Sequence, residues 1–147
     1  MAGVNEQRLT QRMIGYWQLI KKSNEMPQIE HFNSAAVEDL WQQCMMVSVD
    51  TRKGVLFKCE FMGDHLIKAY GRDMQSEIIE STNAAFPGVG VYKRLQQMVG
   101  GNTPQEDSGF FLNKGGDMVK YRACFLPFGK ESKGLTHVII GLSFRAF

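Results

Sequence analysis

No apolar run in this 147-residue chain approaches the ~20 residues that a membrane-spanning helix needs. Met1 to Thr10 is too polar to be a secretory leader. Cysteine is sparse. Cys44, Cys59 and Cys124 stand far apart, with no C-x-x-C and no Cys/His pair, which argues against a zinc site and against a disulfide framework. They read as reduced core thiols of a cytoplasmic protein. Neither sign of charge prevails. Seventeen basic and 15 acidic residues leave a formal +2, too balanced for nucleic acid or an anionic membrane as the main partner. Catalytic signatures are missing as well. Gly88-Val89-Gly90 and Gly100-Gly101 lack the Lys-Ser/Thr of a phosphate loop, and there is no nucleophile elbow. These absences point away from an enzyme and name neither a metal nor a cofactor.

What is present is enough for one folded domain. Hydrophobic residues make up 44% and charged residues 22%, so a real core is affordable and disorder is not expected. Nine methionines add flexible, polarizable filling.

The chain is organised around Val55 to Met74. Val55, Phe57, Cys59 and Phe61 alternate with Leu56, Lys58 and Glu60, the period of a half-buried strand. Gly63 breaks the run. Asp64 is a candidate N-cap, Leu66, Ile67 and Tyr70 recur at helical spacing, and Gly71 stands at the C-cap. Before it, Asn5 to Lys22 reads as a helix with a stripe of Leu9, Met13, Tyr16 or Trp17, and Ile20. Ser34 is a candidate cap for a short helix from Ala35 to Gln42, and Cys44 to Asp50 reads as a first strand, joined to the second by a connection ending in Gly54. After it come a brief helical piece at Glu77 to Glu80, a break at Phe86-Pro87-Gly88-Val89-Gly90, and a helix from Val91 to Val99. Three strands close the chain: Gln105 to Asn113, Asp117 to Phe128 and Leu135 to Phe147. Two strands, a helical excursion and a three-strand meander predict an α+β fold with an antiparallel sheet.

Several of these pieces carry a family likeness. Tyr16-Trp17, Met26-Pro27, Phe61-Met62-Gly63, Gly71-Arg72-Asp73 and Leu126-Pro127 occur in an order and spacing that resembles PAS sensor domains, in particular the alphaproteobacterial-type single-domain PAS proteins. The likeness runs from about Leu9 to Phe144. It implies a five-stranded antiparallel sheet with helices on one face, preceded by an N-terminal helix, with residues 1–24 as a packing or dimerising helix and 25–147 as the PAS-like domain.

The resemblance also implies a role. A PAS-like module senses or regulates, in bacterial signalling, through a small apolar ligand, a signalling partner protein, or both. The expected ligand pocket is lined by Phe57, Phe61, Leu66, Tyr70, Tyr92, Leu95, Tyr121, Ala123, Phe125 and Ile140, with the tyrosines as hydrogen-bonding anchors. A fully packed core is the alternative, since native interiors are close-packed. Haem is not expected, because the ligating histidine belongs on the helix after the excursion, and Val91 to Val99 has none. The cysteine run of flavin-type light sensors is missing, and His65 reads as a solvated or capping residue. Ile139, Gly141 and Ser143 fall on the other sheet face. The N-terminal helix of the same chain or of a second subunit is expected to cover it, with a homodimer through Leu9, Met13, Trp17 and Ile20 as the expected assembly. A small α+β enzyme on an apolar substrate and a ligand-free interaction module are the other readings.

Overall fold

A computed structural model describes residues 2–80 and 89–146. Helix α1 spans Ala2–Lys21 and is followed by two 3-10 turns, Ile29–His31 and Ser34–Val37, and by α2, Glu38–Trp41. Strands β1 (Cys44–Asp50) and β2 (Leu56–Met62) precede α3 (Asp64–Tyr70), a two-residue strand β3 (Ile78–Ile79) and α4 (Val89–Met98). The meander β4 (Gln105–Leu112), β5 (Met118–Lys130) and β6 (Gly134–Ala146) completes the chain. The fold is α+β, and all strand pairs of its sheet are antiparallel.

Among the described residues the sheet has six strands in the order β3-β2-β1-β6-β5-β4, where five were expected. The extra strand is the segment expected to be helical at Glu77 to Glu80. Ile78 and Ile79 pair with Lys58 and Phe57, and the Cys59 amide donates to the Glu77 carbonyl at 2.9 Å. A β-branched pair beside an open strand edge gains more from the ladder than from one isolated helical turn. Two other local expectations shift by a residue. Asn33, not Ser34, accepts the capping bond, from the Ala35 amide at 3.1 Å. Gly63, not Asp64, occupies the N-cap of α3. There the backbone passes so close to Gln42 that a Cβ on residue 63 would sit 2.3 Å from its carbonyl oxygen. Gly71 caps the other end of α3 in the left-handed region, at φ 96°.

The two faces of the sheet bury different cores. On the inner face, α3 and α4 lie over β1, β2, β5 and β6 with Val47, Phe57, Leu66, Tyr70, Leu95, Ala123, Phe125, Ile140 and their neighbours. The C-terminal end of α3 is tied to the β4–β5 turn. The Lys114 amide donates to the Tyr70 carbonyl at 2.8 Å, and its ammonium lies 5.5 Å from the Tyr70 ring centre.

On the outer face, α1 covers Cys44, Cys124, Leu126, Phe128 and Ile139. Gly141 permits that approach, because a Cβ there would meet Leu9 at 3.2 Å and the Cys124 sulfur at 3.3 Å. Leu9, Met13 and Trp17, expected at a dimer interface, are buried against the sheet of their own chain, and Ile20 packs partly buried beside them. Helices therefore lie on both faces of the sheet. Pro127 is tolerated inside β5 because β4 pairs only as far as Phe125, so among the described residues no strand on that side asks for the missing N–H.

Candidate functional site

The site begins with β2. Its alternation is broken by one extra residue: Met46 pairs with Phe61 but Val47 pairs with Cys59, leaving Glu60 bulged out of the ladder. The Glu60 carboxylate accepts from the Ser48 hydroxyl at 2.7 Å. A bulge reverses which face the following residues occupy. Phe57 and Cys59 point to the inner core, as the period of two requires, but beyond Glu60 it is Met62 that joins them. Phe61 is thereby carried to the outer face. It stacks on Trp41 with ring centres 4.6 Å apart and planes 8° from parallel. Phe61 is the one expected lining residue that does not reach the inner core.

The other nine meet there. Phe57, Leu66, Tyr70, Leu95, Tyr121, Ala123, Phe125 and Ile140 are buried in one cluster, and Tyr92 packs partly buried against it. Tyr92 meets Phe57 edge-on at 5.9 Å, and Phe111 links Tyr70 to Tyr121 at 6.3 and 6.1 Å. Phe111, Met62 and Met74 belong to this wall too and were absent from the expected lining. Phe111 was legible, since β4 alternates Gln105, Asp107, Gly109 and Phe111 on the inner face.

Where α4 crosses the edge strand β4, the apolar wall becomes polar. Arg94 follows the buried stripe of Val91, Leu95 and Met98 but leans to the margin. Its Nη1 donates to Gln105 Oε1 at 3.5 Å, and its Nη2 lies 3.7 Å from Asp107 Oδ2. Both contacts are long for a guanidinium. The Arg94 Nε is buried and has no hydrogen-bond partner among the described residues. Beside it the Tyr121 hydroxyl rises over Gly109, where a Cβ would stand 3.2 Å from the oxygen. Burial raises the Tyr121 pKa above the usual phenol value; the Asp107 charge adds to the rise and Arg94 opposes it. Tyr121 thus keeps its proton at neutral pH. The position of Arg94 on the stripe at i+3 from Val91 and the inward parity of Asp107 were the sequence signals for this margin.

Cys59 and Cys124 are each pushed up to about 12, with burial the largest cause in both, and burial raises Cys44 as well. All three are buried and free. His65 is exposed, and His31 lies at the end of its 3-10 turn, away from both cores. Among the described residues no group of three or more His, Cys, Asp or Glu side chains could hold a metal ion, and no helix is long and apolar enough to cross a membrane. No family model matches the chain, and no curated protein matches it.

Proposed function

We propose that this chain is a PAS-like regulatory module whose inner core admits a small apolar molecule between α3, α4 and the sheet. The observation that carries the reading is the meeting of nine side chains from α3, α4 and the sheet on one aromatic-lined wall, roofed by two short helices. Short elements of this kind belong to the less stable part of a fold, so they can part and close over a guest. The α+β architecture and the order of two strands, helical excursion and three strands support the PAS resemblance; the two-residue β3 is an addition to it. Ligand binding closes the roof and shifts the population that a partner protein reads, to the extent that the ligand prefers the closed state. The setting is bacterial signalling in the cytoplasm.

The test uses Ala123, fully buried in the middle of the wall. Native mass spectrometry of the purified protein identifies what travels with it. Ala123→Trp then fills the space: the guest is lost while the melting temperature changes little. If instead the variant loses roughly 1–3 kcal/mol or more of stability and the parent carries no guest, the core is solid.

A second reading has an observation of its own. Leu112 and Met118 form a cross-strand pair at the outer edge of the sheet, and they remain 59% and 47% exposed. An apolar pair on an edge strand suits protein contact, so a ligand-free interaction module is the alternative.

A further inference from the structure

The margin of the inner core carries more information than its apolar wall. Three features coincide where α4 crosses β4. The Arg94 Nε is buried without a partner among the described residues. The two other nitrogens of the guanidinium reach Gln105 and Asp107 only at 3.5 and 3.7 Å. The Arg94 and Asp107 side chains are 25% and 30% exposed, so the pair sits at an entrance and is not sealed inside. A buried donor left unmade costs about 1–3 kcal/mol, more when the group is charged. Native proteins leave few such groups, and each that persists calls for a physical reason, a bound partner among them.

Charge narrows the class of that occupant. Asp107 already balances the Arg94 cation, so the site as a whole is neutral. A second carboxylate brought to Nε would face Asp107 as well as Arg94. A neutral acceptor oxygen takes the Nε–H without that repulsion. The adjoining wall of Leu95, Tyr121 and Ala123 accepts a hydrocarbon or aromatic body.

We infer that Arg94 is the polar anchor of the pocket, donating its Nε–H to the carbonyl-type oxygen of a neutral, otherwise apolar ligand. The inference rests on the reading of the inner core as a ligand pocket and adds the chemical class of the ligand. Asp107 and Gln105 are positioning residues: they hold the outer nitrogens so that Nε faces inward. No covalent step is involved.

Three shape-matched probes test this: acetophenone, isopropylbenzene and benzoate, which differ in having a neutral oxygen, no oxygen, or an anion at the same place. Affinities are measured by NMR titration of the full chain, and the Arg94 Nε–H resonance is followed directly. Acetophenone is expected to bind at least about tenfold tighter than isopropylbenzene, the value of one hydrogen bond from a charged donor, and tighter than benzoate. The Nε–H signal moves with acetophenone and not with isopropylbenzene. Arg94→Lys keeps the charge opposite Asp107 but removes this donor, and it brings the ratio of the two neutral probes to within about twofold. Should Arg94→Lys fold poorly, the Nε–H signal of the parent protein decides alone. Equal affinity of the two neutral probes, a stationary Nε–H signal, or tightest binding of benzoate overturns the inference while leaving the pocket in place. Binding of none of the three overturns the pocket and the inference together.

Discussion

The indole Nε1 of Trp17 donates a hydrogen bond of 2.7 Å to the carbonyl oxygen of Pro127, 110 residues away in the sequence. Both partners are buried, and the bond fastens α1 to the one stretch of β5 that runs beyond its neighbour β4. A ring of this size buries much apolar surface, and its N–H must be met once it leaves water. Trp17→Phe keeps most of the apolar contact and leaves the carbonyl without its donor. The loss expected is about 1–3 kcal/mol, read from urea unfolding. A variant as stable as the parent would mean that α1 is held by something other than this contact.

The bulge at Glu60 makes a second prediction, because two adjacent residues exchange their expected importance. Met62 is buried in the inner core, whereas Phe61 is half-buried against Trp41 on the outer face. Met62→Ala should therefore cost about 2–5 kcal/mol, and Phe61→Ala less than the ~3–5 kcal/mol usual for a core phenylalanine. Chemical denaturation of the two variants checks the order. The reverse order would restore the unbroken alternation of β2 and remove the bulge.

That pair of residues also shows what the sequence could and could not convey. Period-two alternation placed Phe57, Tyr121, Ala123, Phe125 and Ile140 on one face correctly, since burial of one face forces that spacing. It failed at Phe61 because a bulge adds one residue without a fixed residue signature, and Glu60 is unremarkable as a sequence symbol. The short β3 was missed for a related reason: Ile78 and Ile79 become a strand only because the edge of β2 is there to receive them. The stripe of Leu9, Met13 and Trp17 was plain, but a stripe does not say which surface it covers. Here Gly141 supplies the missing half, as the flat place on the sheet where Leu9 and Met13 come to rest. The polar margin at Arg94 needed the register of α4 over β4, which no local pattern contains.

His137 gives the stability a pH dependence with a definite sign. Burial lowers its pKa below the ordinary histidine value, against the opposing pull of Glu30 and Glu60. Its Nδ1 lies 3.0 Å from the Thr136 hydroxyl. A depressed folded-state pKa means that the unfolded chain takes up the proton first. The contribution of His137 is therefore full above the unfolded value, near 6.5, and is lost as pH falls from there through the lower folded value. Melting temperatures taken across that window should drop with acidification, and His137→Gln should flatten the slope. An unchanged slope in the variant assigns the effect to other groups.

A small apolar molecule is proposed to enter between the short helices and the inner face of the sheet. The most direct measurement is a methyl-labelled NMR titration of the intact chain with isopropylbenzene, which has no polar group to bias the result. The methyls of Leu66, Leu95, Ala123 and Ile140 face the inner core, while those of Leu9 on α1 and of Leu126 and Ile139 beneath that helix lie on the opposite face. Saturable shifts are expected in the inner set and none in the outer set. Shifts confined to the outer set, or none at all up to the solubility of the probe, would contradict entry at the inner face.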